Sequence, residues 1–149
     1  MITLQRTTSD NADFQFLTRE FDNYLIEIDG DEKDFFAQYN QIYLEHVVVC
    51  YANEKAVGCG AFKEYEPNVA ELKRMFVLPE ARGNGIASAV IQELENWISE
   101  LKFTTCILET SNQLVHAIAL YTKFGYQIIP NYGQYANVES SVCMKKTVK

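Results

Sequence analysis

Arg82, Gly83, Asn84 and Gly85 lie in the stretch LPEARGNGIAS, residues 78–88, between a strand-like run and a helix-like one. The start of a helix carries backbone N–H groups that have no partner inside the helix, together with a partial positive charge. An anion bound there satisfies both. Side chains on the turn would obstruct its approach, so two glycines are useful, and Arg82 adds a permanent positive charge. The chemistry this spacing offers is the binding of a phosphate or pyrophosphate. A tight strand-to-helix turn with no ligand is the plain alternative.

Two phosphate-binding patterns do not fit. A P-loop needs Gly-Lys-Ser/Thr after its glycines, and GNGIAS has none. A dinucleotide fingerprint needs G-x-G-x-x-G, but the last position here is Ser88. That fingerprint also usually opens an α/β domain, whereas this turn follows what reads as an antiparallel meander.

The elements that would position the loop can be read from periodicity. ITLQRTT is a strand, after which Ser9 or Asp10 can cap a helix. The helix shows Phe14, Leu17, Phe21 and Tyr24 at helical spacing. DEKDFFAQYN reads as a shorter second helix with acids in its first turn. LEHVVVCY and AVGCGAFKEY are strands joined by a turn at Ala52–Lys55, and EPNV turns the chain into a third strand, VAELKRMFVL. Beyond Pro79 a long helix carries the stripe Ile86, Val90, Ile91, Leu94, Trp97, Ile98 and Leu101. TTCILET is a buried strand. SNQLVHAIALYTKF is a helix with Leu114, Ala117, Ile118, Tyr121 and Phe124 on neighbouring faces, ended by Gly125. YQIIP and SSVCMKK are the last strands. The result is an α/β chain with one mixed sheet, and the passage through residues 69–110 is a crossover between parallel strands.

Composition bounds the rest. The 149 residues suit one domain, 1–149, and 48% hydrophobic content is enough for a core. No repeat, linker or apolar run long enough to span a membrane appears, and MITLQRTTSD lacks the apolar centre of a secretion signal. Cys50, Cys59, Cys106 and Cys143 stand singly in apolar runs, with no Cys/His cluster to suggest a metal. They read as reduced core thiols of a cytoplasmic protein. The net charge of -7 argues against general nucleic-acid binding.

RGNGIA matches R-x-x-G-x-A, and the chain resembles the GNAT superfamily of acyl-CoA-dependent N-acyltransferases over nearly its whole length. MFVLPEARGNGIASAVIQELENW looks like that family's strand, loop and helix, and AIALYTKFGY like its second signature. The resemblance implies a single-domain, mostly antiparallel mixed sheet with splayed central parallel strands, flanked by helices. It implies acetyl-CoA as acyl donor, its thioester arm lying in the cleft.

The same resemblance suggests roles. Backbone groups around Met75, Phe76 and Val77 pair with the pantetheine arm, and the N–H groups of Arg82, Gly83, Asn84, Gly85, Ile86 and Ala87 hold the pyrophosphate. Tyr121 donates a proton to the leaving thiolate or orients its sulfur, or else only fills the helix–sheet interface. Many family members carry an asparagine seven residues before that tyrosine. Here the position is Leu114, and Asn112 either substitutes or caps the helix. The attacking amine needs a base: Glu71 first, Glu109 second, then His116, with a water chain to a carboxylate as a further route. Tyr132 and Tyr135 are candidates to wall an acceptor pocket. Arg74 or Lys73, alternating on their strand, is a candidate to hold an acceptor carboxylate. The long first helix together with its successor, through Phe36 and Tyr39, forms the other wall.

The leading expectation is an N-acetyltransferase acting on a small-molecule primary amine by direct attack in a ternary complex. A protein or peptide N-acetyltransferase is the alternative within that chemistry. A CoA-binding module that transfers nothing, and a purely structural domain, are the rival classes. The oligomeric state stays open, a homodimer included.

Overall fold

The computed structural model describes residues 1–29 and 42–148. The second predicted helix, with Phe36 and Tyr39, lies outside the described residues. The elements run β1 (Ile2–Thr7), α1 (Ala12–Asp29), β2 (His46–Ala52), β3 (Lys55–Glu66), β4 (Val69–Val77), α2 (Ile86–Glu100), β5 (Thr105–Ser111), α3 (Val115–Lys123), β6 (Gln127–Ile129) and β7 (Ser141–Thr147). The strands form one seven-stranded sheet in the order β1-β2-β3-β4-β5-β7-β6. Every neighbouring pair is antiparallel except β4 and β5. This is the mixed, mostly antiparallel α/β architecture that the sequence predicts.

Local chemistry accounts for most of the element ends. Asn53 and Glu54 both take positive φ (52° and 70°), as a tight two-residue hairpin requires. Helix α1 is capped by Asn11, whose Oδ1 accepts the Phe14 N–H at 2.9 Å, and not by Ser9 or Asp10. Ser9 is committed elsewhere: its Oγ accepts the Leu44 N–H at 2.7 Å and its own N–H donates to the Leu44 carbonyl. Leu101, predicted as part of the α2 stripe, is instead the C-cap and 44% exposed. Helix α3 begins later than predicted, because Ser111 belongs to β5 and its Oγ accepts the Gln113 N–H in the turn that follows.

The two faces of the sheet hold separate apolar clusters. Val90, Ile91, Leu94 and Ile98 of α2 pack with Phe62, Leu72, Leu108 and Tyr121 on one face. Phe14 and Leu17 of α1 pack with Val47, Val49, Cys59 and Phe76 on the other. All four cysteines are free and buried.

At Gly60 strand β3 approaches helix α2 closely. A Cβ there would stand 2.3 Å from Met75 Sδ, 2.8 Å from Leu94 Cδ1 and 2.9 Å from Val90 Cγ1. Met75 can move, but Leu94 and Val90 are fully buried. Gly60→Ala is therefore expected to destabilise the fold by about 1–3 kcal/mol, the usual cost of overpacking, as a lower midpoint in urea denaturation. An unchanged midpoint would show that α2 has room to shift.

Candidate active site

The site begins with a mismatch in the sheet. Strand β4 pairs with β5 only at Val69↔Thr105, Ala70↔Cys106 and Glu71↔Ile107. On its other side, β4 keeps register with β3 at Ala61↔Lys73 and Cys59↔Phe76, so Arg74 and Met75 together oppose the single residue Gly60. This is a β-bulge, with Arg74 in the left-handed region at φ 57°. A bulge bends its strand and increases the local twist. The Cys59 thiol donates to the Arg74 carbonyl at 3.4 Å. Past Glu71, β4 and β5 part and leave a V-shaped cleft. Its walls come from Glu71–Met75 of β4, Leu108–Ser111 of β5, Leu114, Ala117 and Tyr121 around α3, Phe21 and Leu25 of α1, and Tyr135.

The glycine loop lies beyond the same strand. Residues Pro79–Ala81 form a short 3-10 turn, closed by the Arg82 N–H donating to the Pro79 carbonyl. That N–H is therefore committed, and the run of donors predicted from Arg82 to Ala87 begins one residue later. Asn84 Nδ2 donates to the carbonyls of Ala81 (3.0 Å) and Arg82 (3.4 Å), which braces the turn. Gly83 and Gly85 take φ 82° and 76°, and a Cβ on either would meet nothing within 4 Å. Gly85 is the N-cap of α2, and no side chain caps the helix. Open space over an uncapped helix start is what an anion needs. Arg82 is exposed but not loose: its Nε donates to the Val77 carbonyl at 3.1 Å, and its guanidinium lies 4.8 Å from the Tyr24 ring centre.

Side chains around the loop have other duties. Ile86 is buried in the core, and Ala87 packs at its edge. Met75 turns toward α2. Phe76 stacks on Phe21 at 5.0 Å. These residues and Val77 can offer a ligand backbone groups only. Asn112 is neither the α3 cap nor a wall of the cleft. Its side chain is exposed, and its N–H donates to the Ser140 carbonyl at 2.7 Å. Leu114, an apolar residue, occupies the cleft wall and the N-cap position of α3.

Tyr121 is positioned by the end of its helix. The Tyr126 N–H donates to the Tyr121 carbonyl and the Gly125 N–H to that of Thr122, with Gly125 at φ 99°. This pair of bonds is a Schellman ending, which brings the side chains on either side of the turn together. The Tyr121 and Tyr126 rings meet edge to face at 5.8 Å. Tyr121 is buried but reaches the cleft, and burial pushes its phenol up, so it stays protonated at neutral pH.

Glu71 and Glu109 both line the cleft, and His116 does not: it is exposed on α3. Glu71 is 2% exposed; its Oε2 accepts the Tyr132 hydroxyl at 2.6 Å, and its Oε1 lies 3.8 Å from Lys73 Nζ. Glu109 Oε2 accepts the Ser141 hydroxyl at 2.6 Å. Lys73 Nζ donates to the Tyr135 hydroxyl at 3.4 Å, and burial lowers its pKa against the opposing pull of Glu71. Of the two predicted acceptor tyrosines, Tyr135 lines the cleft, whereas Tyr132 stands behind Glu71 and buttresses it.

Simple alternation puts only one of Lys73 and Arg74 at the cleft, yet both line it, because the bulge breaks the period of two. Arg74 Nη2 donates to the Thr18 carbonyl (2.9 Å) and to Asp22 Oδ1 (2.8 Å), and its guanidinium lies 5.0 Å from the Phe21 ring centre. Arg74 Nη1 is, among the described residues, the one buried side-chain polar atom without a hydrogen-bond partner. Phe21 and Leu25 of the first helix line the cleft. Ser141 was not legible as a site residue: strand order brings it to Glu109, and that leaves no local signature.

Comparison with known proteins agrees with this geometry. The sequence model of the Acetyltransferase (GNAT) family matches residues 12–126. An IAA acetyltransferase of Azospirillum brasilense is 29% identical over 133 residues, covering 87% of each chain. A crystal structure from Klebsiella pneumoniae, assigned as an acyl-CoA N-acyltransferase, superposes with a TM-score of 0.86 at 27% identity, covering 100% of this chain and 99% of that one. A GNAT family acetyltransferase from Elizabethkingia anophelis, solved with acetyl-CoA bound, shares the fold at a TM-score of 0.73 and 15% identity, over 99% of this chain and 98% of that one. A splayed sheet with an open glycine loop defines an acyltransferase scaffold, and this chain belongs to the acetyltransferase (GNAT) family.

Proposed function

We propose that this protein transfers an acetyl group from acetyl-CoA to a primary amine of a small molecule, by direct attack in a ternary complex. One observation carries the reading: the parted strands β4 and β5 form a single cleft with Tyr121, Glu71 and Glu109 on its walls, and the uncapped start of α2 lies beyond the end of β4. The bound acetyl-CoA of the Elizabethkingia relative, alike in fold, supports the choice of donor. Backbone N–H groups from Gly83 to Ala87 hold the pyrophosphate, with Arg82 as a nearby charge. Backbone groups of Met75, Phe76 and Val77 along the parted edge of β4 take the pantetheine arm.

Glu71 or Glu109, directly or through water, takes a proton from the acceptor ammonium. The amine nitrogen attacks the thioester carbonyl carbon; the C–N bond forms, the C–S bond breaks, and the acylated nitrogen sheds its second proton to water. Tyr121 gives its proton to the departing sulfur and is reprotonated from solvent. The products are the N-acetylated amine and CoA. No cysteine lines the cleft among the described residues, which favours direct attack over a covalent acyl-enzyme. A small acceptor is favoured by the walls that Tyr135, Phe21 and Leu25 set around the opening. Four buried free thiols suit a reducing compartment such as the cytoplasm.

Two measurements test the reading. A ligand that binds only the folded state stabilises it by about 2.7 kcal/mol at a hundred times its dissociation constant. Acetyl-CoA is expected to raise the melting temperature accordingly, and NAD or ATP far less. An amine panel scored by CoA release then separates catalysis from storage. Binding without release from any amine would identify a CoA-binding module instead.

A further inference from the structure

We infer that the acceptor is a zwitterion, a small amino-carboxylate of the free amino acid class, with its carboxylate held by Arg74 and Lys73 and its amine directed at Glu71 and Glu109. The inference rests on the acetyl-transfer reading of the same cleft and specifies its substrate class.

The two cations are buried beyond what their partners justify. The Arg74 side chain is 3% exposed, while its counter-ion Asp22 is 48% exposed and engages only Nη2. Nη1 has no partner. A buried donor without an acceptor costs its full desolvation, and an anionic oxygen in the cleft removes that cost. The Lys73 side chain is 6% exposed; its hydrogen bond to Tyr135 is long, and its nearest carboxylate is 3.8 Å away. An ammonium carries three donors, so Lys73 retains capacity for an anion. The bulge brings these consecutive residues to one opening, at the cost of an arginine in a left-handed conformation.

The acids lie on another side. Glu71 marks the point where β4 and β5 part, and Glu109 stands on β5, hydrogen-bonded toward β7 through Ser141. Arg74 reaches the opposite way, toward α1. Arg74 thus stands apart from the two carboxylates, whereas Lys73 stays within 3.8 Å of Glu71. A neutral molecule with separated charges matches both ends. A simple amine leaves Arg74 Nη1 unsatisfied, and a peptide N-terminus presents an uncharged amide where the free amino acid has a carboxylate.

The test compares matched acceptors: free amino acids with apolar, basic, acidic and aromatic side chains, the carboxamide of each, and the corresponding decarboxylated amine. CoA release gives kcat/KM. The wild type is expected to prefer the carboxylate over the carboxamide by about 10²-fold, since a site that pairs a charged group rejects an analogue lacking it. Arg74→Gln is expected to collapse that ratio, and a ratio is insensitive to general loss of activity. Asp22→Asn removes the counter-charge of Arg74 and keeps the guanidinium, so it retains the preference. Equal wild-type kcat/KM for carboxylate and carboxamide overturns the inference whatever the variants do. So does an Arg74→Gln enzyme that keeps the preference, or an Asp22→Asn enzyme that loses it. Release with carboxamides or peptides alone overturns the substrate class and leaves acetyl transfer standing. No release from any acceptor, with acetyl-CoA binding intact, overturns both.

Discussion

Tyr121→Phe is expected to lower kcat about 10²-fold, within the range of general acid catalysis, with little change in KM for acetyl-CoA. The substitution keeps the ring and deletes the hydroxyl. The edge-to-face contact with Tyr126 and the hydrogen-bonded end of α3 use the ring and the backbone, so they survive. What is lost is made only as charge develops on the departing sulfur, and such a loss appears in kcat rather than in binding. An ordinary phenol ionises near pH 10 and would give the pH profile an alkaline limb that the Phe variant lacks. Burial pushes the Tyr121 phenol up, so that limb moves beyond the working range. Above about pH 10 the unfolded chain loses phenolic protons that the folded chain retains on Tyr126, Tyr132 and Tyr135 as well as on Tyr121. The unfolded state then binds fewer protons, and stability falls as pH rises. An alkaline loss of rate should therefore track unfolding, in wild type and variant alike. A Phe variant at full rate would remove Tyr121 from the chemistry and leave the cleft as a binding site.

Gly85→Glu is expected to weaken acetyl-CoA binding about 10³-fold, read by calorimetry. A Cβ at this position meets no protein atom within 4 Å, so the side chain leaves the backbone into open space. It enters the open space over the uncapped start of α2 and places a carboxylate where the pyrophosphate belongs. Two like charges about 4 Å apart near a protein surface repel by about 4 kcal/mol, which corresponds to the stated factor. The backbone at φ 76° adds about 1–2 kcal/mol of conformational cost for any L-residue. Gly85→Ala carries that cost without the charge and serves as the control. It should lower the melting temperature in the same way while keeping most of the affinity. Unchanged affinity in Gly85→Glu would remove the loop from the site.

Local chemistry made much of this protein legible in its sequence. Seven strands and the helices of the described residues follow from apolar periodicity, because burial of one face is decided by residues two or four apart. The loop is legible because its glycines and Arg82 sit together in the chain. Tyr121 is legible because Gly125 and Tyr126, which position it, are its near neighbours. Element ends were less so. Asn11 caps α1 in place of Ser9 or Asp10 because Ser9 bonds to Leu44, a partner far along the chain. Asn112 failed as a cap and as a cleft residue because β5 runs on through Ser111.

The sequence by itself determined the alternation of strands and helices, the anion-ready loop and the phenol near the end of α3, since each depends on side chains within a few positions of one another. Only the tertiary structure decided that β4 bulges at Arg74 against Gly60, that β4 and β5 part after Glu71, and that Lys73 and Arg74 share one opening. It also decided that Tyr132 supports Glu71 and that Ser141 holds Glu109. Those facts depend on the register between strands distant in the chain. A single inserted residue in one strand reverses which side chains face the cleft, and no local pattern records it.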